Sequence, residues 1–244
     1  MAKIPKKPEE VFEEFTANYT SLFGNDLLAI VLYGSGARGE YVPKKSDLNF
    51  LIMLSEKGID RLEEAVDVVA KWQKRSIPVP LFLTRSYIES SSDTFPLEFF
   101  NIKAAYHIIY GDDILKELVI TKHDLRLQCE RELKAKLLLL RESFLQAHGE
   151  AGRLIELINQ SLPAFISIFK ALLYLKANEV PKKHEAVIPA TAQNFGLDQG
   201  LFQTLWKTKK GEYKPGKEEI KKIVLRYISE IRSLSKRVDQ MDGR

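Results

Sequence analysis

The residues best suited to chemistry lie in the segment Val31–Leu54, which reads VLYGSGARGEYVPKKSDLNFLIML. Gly34 permits a tight turn directly after an apolar run, because glycine adopts backbone conformations that other residues resist. Ser35 then presents a hydroxyl and an N–H to the turn, and Arg38 adds a fixed positive charge. We expect Ala37–Glu40 to open a short helix, whose N-terminus is suited to holding a phosphate.

A second set of polar residues stands at the start of the next apolar run. Asp47 lies at the mouth of this strand, directly after Ser46, and Asn49 follows two positions later. Because side chains alternate across a strand, Asp47 and Asn49 are expected to share one face. Ser35 and Asp47 then belong to adjacent strand ends and face one cleft.

This pattern resembles the nucleotidyltransferase superfamily, whose members have the DNA polymerase β-like fold. The signature of that family is a Gly-Ser pair after a first strand, Asp-x-Asp at the start of the second, and a third Asp on a later strand. Here GSGARGE at 34–40 matches the loop and SDLN at 46–49 matches the second element in part. The minimal and aminoglycoside nucleotidyltransferases are the members most similar to this chain.

The resemblance implies roles for individual residues. Asp47 would be the catalytic residue and, with Asn49, a metal ligand. The nucleotide-binding residues would be Gly34, Ser35, Arg38 and Ser46. The implied partner is a nucleoside triphosphate, and the implied cofactor is Mg²⁺, held only together with that nucleotide.

The departures from the family pattern concern charge. Asn49 stands where the family has its second carboxylate. The strand expected to supply the third, Val79–Thr84, reads VPLFLT and has Pro80 or Leu81 at the corresponding position. Each missing carboxylate removes a gross attraction of roughly 8 kcal/mol to a divalent ion, for a 4 Å separation and an effective dielectric of 20. Even a residual ~3 kcal/mol weakens metal binding more than a hundredfold.

These departures define three functional hypotheses. The first is a nucleotidyltransferase-like protein that is catalytically impaired, a pseudoenzyme, and retains a nucleotide-phosphate cleft. The alternative is an active Mg²⁺-dependent enzyme that moves a nucleoside monophosphate from an NTP to a hydroxyl of an unknown acceptor. The third is a protein-interaction module with a vestigial site.

The elements that must position these residues follow from hydrophobic periodicity. Helical spacing of apolar residues predicts helices over Pro8–Leu22 and Gly58–Gln73. Four short apolar runs predict strands: Leu27–Tyr33, Leu48–Leu54, Val79–Thr84 and Ala104–Tyr110. Strands that alternate with helices indicate a sheet domain, which we assign to residues 1–122.

The second half of the chain is predicted to be helical. Three long apolar stripes, over 125–144, 154–173 and 220–238, indicate a helical bundle domain at 123–244. Pro163 is expected to bend the second of these helices, and Ala177–Gly196 is expected to be a long loop that can include a short helix. The predicted fold class is therefore α+β: a nucleotidyltransferase-like mixed sheet domain followed by a C-terminal helical bundle.

Composition excludes several classes of protein. The 244 residues include one cysteine, which excludes an intramolecular disulfide framework. The sequence shows no apolar run near 18 residues and no hydrophobic stretch behind the first lysines, so we expect a cytoplasmic protein without a membrane span. The net charge of +4 comes from 37 basic and 33 acidic residues that alternate along the chain, which argues against a nucleic-acid partner. A homodimer or a protein partner, bound through the helical domain, stays open.

Overall fold

The computed structural model describes residues 3–177, 179–181 and 184–241. The chain divides into two compact units, one up to Ile120 and the other from Thr121 onward. We describe each unit by itself.

The first unit is built on a four-stranded mixed sheet with the strand order β3-β2-β1-β4. Its strands are β1 (Leu27–Tyr33), β2 (Asn49–Leu54), β3 (Leu81–Thr84) and β4 (Tyr106–Gly111). The central strand β1 pairs antiparallel with both β2 and β4, whereas β3 runs parallel to β2. The four predicted strands are all present, and β1 has the predicted bounds.

Helices cover the sheet in this unit. They are α1 (Phe12–Phe23), α2 (Glu56–Ile59), α3 (Val66–Gln73), α4 (Arg85–Ser91) and α5 (Pro96–Ala104), with short 3₁₀ helices at Pro8–Val11, Gly24–Asp26 and Leu62–Ala65. The single helix predicted over Gly58–Gln73 is therefore three shorter segments. The first of them is fixed by a local cap, because the Ser55 hydroxyl accepts the Gly58 N–H at 3.1 Å.

Helices pack on both faces of the sheet, and a separate hydrophobic core lies on each face. On one face, Phe15 of α1 stacks on Phe50 with ring centroids 4.1 Å apart and also contacts Trp72 of α3. On the other face, Val31 and Leu51 belong to a smaller core that includes residues of α4 and α5. The loops at the end of β1 and the start of β2 are thus attached to a rigid, doubly covered scaffold.

The second unit contains five helices within the described residues. They are α6 (Lys122–Gln146), α7 (Ala151–Ala177), α8 (His184–Phe195), α9 (Gln199–Lys210) and α10 (Lys217–Asp239). Thr121 caps α6, because its hydroxyl accepts the Asp124 N–H at 3.1 Å. The three predicted apolar stripes lie on α6, α7 and α10 and are largely buried. The α+β class with a C-terminal helical region is therefore confirmed.

The prediction of a long loop over Ala177–Gly196 is wrong, because α8 occupies most of it. Val187 and Ile188 are buried on one side of this helix, and Thr191 is fully buried with its hydroxyl donating to the Val187 carbonyl at 2.8 Å. Tertiary burial of these residues outweighs Pro189, which the helix tolerates in its interior. Residues 178, 182 and 183 of the predicted loop lie outside the described residues.

Helix α7 is both long and apolar. By length and composition alone it would be able to cross a membrane, but 61% of its most apolar 18-residue window is buried inside the structure. A core helix of a folded unit has the same properties, and α7 packs against the other helices of its own unit. Pro163 lies inside α7 without ending it.

Candidate functional site

The glycine-rich loop that follows β1 forms consecutive turns. Gly34 has a φ of +74°, and its carbonyl accepts the Arg38 N–H at 3.1 Å. The Ser35 carbonyl accepts the Glu40 N–H at 3.0 Å, and Gly39 has a φ of +73°. The short helix predicted to begin at Ala37 is absent, because left-handed Gly39 ends the turn before a second turn can form. Any phosphate contact here would come from loop N–H groups and the Ser35 side chain.

The structure brings four of the predicted site residues together at the junction of β1 and β2. The Ser35 hydroxyl donates to the Asp47 backbone carbonyl at 3.4 Å and so joins the two loops. A Cβ atom placed on Gly34 would lie 3.3 Å from the Asn49 side-chain nitrogen. Glycine is therefore suited to this position by both its φ and its close approach to Asn49.

Asp47 and Asn49 face away from the larger core. They alternate with Leu48 and Phe50, which are both buried in the core beneath α1. Asp47 is exposed and Asn49 is half-buried. The shared face predicted for this pair agrees with that alternation.

The sequence did not single out two tyrosines at this end of the sheet, Tyr33 and Tyr106. Tyr33 stands opposite Asn49 in the β1–β2 register, and Tyr106 stands opposite Tyr33 in the β1–β4 register. Burial raises the pKa of Tyr33. The Tyr106 hydroxyl donates to the Asp113 carboxylate at 3.0 Å, and both burial and that carboxylate raise the pKa of Tyr106. Each tyrosine stands at a strand end, which was the available signal in the sequence, but only the register shows that Tyr33 lies opposite Asn49 and that Tyr106 is two strands away from it.

Arg38 lies apart from this group. Its guanidinium pairs with Glu40 at 2.9 Å, which offsets its charge locally. Together with Gly36 and Leu32, Arg38 lines a cavity of about 1030 Å³. Leu32 and Tyr33 point to opposite faces of the sheet, because neighbouring strand residues alternate. The structure therefore associates Arg38 with the face opposite to Asn49.

Ser46 shapes the turn that precedes Asp47. Its hydroxyl accepts the Val42 N–H at 3.1 Å, and its own N–H donates to the Val42 carbonyl at 2.8 Å. Nearby, the Tyr41 hydroxyl donates to the Pro5 carbonyl at 3.0 Å. Burial raises the pKa of Tyr41, and the negative charge of Asp47 adds to that effect. The described contacts of Ser46 are thus with its own loop.

The adjacent strand β3 supplies apolar groups where the family resemblance implies an acid. Leu81 pairs with Leu51, so the same register, continued outward by two residues, sets Val79 opposite Asn49. Val79 is 57% exposed and Leu81 is 39% exposed, whereas Pro80 is buried and faces the other side. Of the two positions considered for the third acid, only Leu81 thus shares a face with Asn49.

Charge at this site is correspondingly low. Asp47 is the one carboxylate among the four predicted site residues that the structure brings together, Gly34, Ser35, Asp47 and Asn49. Within the described ranges, no cluster of three or more His, Cys, Asp or Glu side chains is arranged to hold a metal ion. The oxygen donors present here, one carboxylate and one amide, fit a single weakly held Mg²⁺ better than a pair of ions.

Comparison with known proteins adds one result at the level of the fold. No protein-family model and no curated protein sequence matches the chain. Among solved structures, the chain is similar to the spectinomycin adenyltransferase of Enterococcus faecialis, determined with ATP and spectinomycin. The TM-score is 0.56 and the identity is 12%, over 95% of this chain and 99% of that one. The chain thus has the fold of that adenyltransferase, which confirms the fold implied by the resemblance to nucleotidyltransferases.

Proposed function

We propose that this chain is a nucleotidyltransferase-like protein that binds a nucleotide phosphate at the junction of β1 and β2 and is catalytically impaired. The observation that carries the proposal is that the glycine loop has the expected geometry while the site has fewer carboxylates than the resemblance implies. Gly34, Ser35 and Asp47 retain the geometry that joins the two loops. Asn49 stands where the resemblance implies an acid, and Leu81 is the one of the two positions considered for the third acid that shares a face with Asn49.

The residues that would hold Mg²⁺ are Asp47 and Asn49. The ion, arriving with a nucleoside triphosphate, would neutralise phosphate charge and orient the reacting groups. Asp47 contributes a full negative charge to that task, and Asn49 contributes an uncharged oxygen. Because the protein supplies so little negative charge, the nucleotide phosphates must supply most of the attraction for Mg²⁺, and we expect MgATP to bind weakly. We also expect the protein to be cytoplasmic.

An active transferase is the second candidate, and the structural likeness favours it. The adenyltransferase that this chain resembles over 95% of its length was determined with ATP and spectinomycin. In an active protein, Asp47 would remain the catalytic residue and a nucleotide-borne Mg²⁺ would compensate for the missing acids.

Calorimetric titration with ATP, with and without Mg²⁺, tests the binding part of the proposal. We expect MgATP to bind the unaltered chain, and Asp47→Ala to weaken that binding at least tenfold. The control is Asp67→Ala, which removes an exposed carboxylate from α3 outside the loop. Equal loss in the two variants, or no binding at millimolar ATP, would contradict a nucleotide cleft.

Pyrophosphate release with ATP and spectinomycin as a test acceptor addresses impairment. We expect no release above background from the unaltered chain. The double variants Asn49→Asp/Leu81→Asp and Asn49→Asp/Val79→Asp place acids at exposed or half-buried positions of one face, and we expect them to bind Mg²⁺ at least tenfold more tightly. Release by the unaltered chain that Asp47→Ala abolishes would establish the active alternative.

A further inference from the structure

We infer that the helical unit carries a second ligand site, a cavity between α6 and α7 that takes an elongated amphipathic molecule with a carboxylate group. The cavity has a volume of about 570 Å³ and is lined by residues of these two helices and by Ala147, which follows α6. Cavities of this size hold small organic molecules in many proteins. The inference stands apart from the proposed function, since every lining residue belongs to the helical unit.

The floor of the cavity is apolar. Leu140, Leu157 and Phe165 form it, and each is at most 7% exposed. Leu139 lines the mouth and is 59% exposed, although it is a large apolar side chain. An apolar floor beneath an uncovered leucine favours a ligand with a hydrocarbon or aromatic body, because binding would remove that surface from water.

Polar groups mark one side of the cavity. The Ser161 hydroxyl lies 3.4 Å from the hydroxyl of Tyr227, a fully buried residue of α10. Burial raises the pKa of Tyr227, so this pair stays uncharged. A few fixed polar groups above an apolar floor are the usual means by which such sites orient a ligand.

Charge at the two ends sets the expected headgroup. Lys136 lies at one end and pairs with Glu132 at 2.9 Å, while Arg153 at the other end pairs with Glu150 at 3.0 Å. The first pair joins neighbours on α6, and the second joins Arg153 to Glu150, the residue before α7. Pairs with this i,i+3 or i,i+4 spacing contribute only a few tenths of a kcal/mol. A ligand carboxylate is therefore able to compete for either cation.

The length of the cavity follows from the helix geometry. Lys136 and Gln146 both line it, and ten residues of α-helix rise about 15 Å. Its charged lining consists of Lys136, Arg153 and a single acid, Glu156. A medium-chain carboxylate matches this combination of length, apolar floor and terminal cation better than a cationic or a compact ligand.

Displacement of the fluorescent probe 1-anilinonaphthalene-8-sulfonate from the full chain tests the inference. We expect decanoate to displace the probe and decylamine to be at least tenfold less effective. Ala164→Trp fills the cavity and should weaken decanoate binding at least tenfold. The matched control, Leu225→Trp, adds the same ring at an exposed position of α10 outside the lining and should change nothing.

A second variant keeps the test valid if Ala164→Trp does not fold. Lys136→Gln/Arg153→Gln alters two side chains at the rim and should weaken decanoate several-fold while leaving decanol unchanged. Circular dichroism checks that each variant retains its helices. Equal displacement by decanoate and decylamine, or decanoate affinity that neither the filled cavity nor the double glutamine variant alters, would overturn the assignment.

Discussion

The glycine-loop site of the sheet unit and the cavity of the helical unit are built in opposite ways. The first depends on backbone geometry within a short segment, where Gly34 approaches Asn49 and Ser35 reaches the Asp47 carbonyl. The second depends on side chains of two helices, such as Leu140 and Phe165, that pack incompletely against each other. The site in the sheet unit is therefore set by local backbone geometry, whereas the cavity in the helical unit is set by side-chain packing between two helices.

The largest expected effect compares glycines with similar backbone angles in the two units. Gly111 has a φ of +76°, and a Cβ there would lie 1.9 Å from the Leu28 carbonyl oxygen. Gly149 has a φ of +73°, and a Cβ there would meet nothing within 4 Å. We expect Gly149→Ala to lower the free energy of unfolding by about 1 kcal/mol, from its φ alone. Gly111→Ala should lower it by at least about 3 kcal/mol, because the β1 backbone must move.

Urea unfolding followed by circular dichroism measures both glycine variants. Equal losses would show that contact between neighbouring backbones contributes nothing beyond the φ preference. Close backbone packing would then not distinguish the sheet unit from the helical unit.

A smaller effect is expected at the start of α9. The Asp198 carboxylate accepts the Leu201 N–H at 2.9 Å and also pairs with Arg226 of α10. Asp198→Ala should lower the free energy of unfolding by about 1 kcal/mol, the usual value for a lost cap. Asp198→Asn keeps a capping oxygen and should recover most of that loss, so a cost equal to that of alanine would exclude capping as the cause.

The same residue predicts a pH dependence. The Leu201 N–H and, after it, the charge of Arg226 hold the pKa of Asp198 below its usual range. A carboxyl whose pKa is lower in the folded state stabilises the protein above its unfolded pKa, and that contribution is lost as the pH falls through the folded value. The difference in melting temperature between the native chain and Asp198→Asn should therefore shrink below about pH 4.

The smallest effect concerns the proline inside α7. Pro163 has no N–H to donate to the Asn159 carbonyl, and the Lys209 ammonium donates to that carbonyl instead, at 3.1 Å. Lys209→Met keeps the length of the side chain and should cost about 1 kcal/mol. Lys207→Met on the same helix is the control. Hydrogen exchange should accelerate around residue 159 in the first variant only, and an unchanged rate would show that water already satisfies the carbonyl.

Much of the sheet unit was predictable because its signals are local. The run LLAIVLY gave β1 with its bounds, and Gly34 marked the turn that follows. The helix predicted to begin at Ala37 failed because Gly39 ends the turn in a left-handed conformation. The loop predicted over Ala177–Gly196 failed because burial of residues such as Val187 stabilises a helix despite an internal proline.

The sequence by itself determined the strands, the glycine loop and the reduced count of acids, since each depends on residue type and short-range spacing. Only the tertiary structure decided which of those residues meet. The strand register sets Tyr33 opposite Asn49 and puts Leu81 on the same face of the sheet. Arg38 is associated with the other face of the sheet. The physical reason is that a one-residue difference in strand register reverses the face on which a side chain lies.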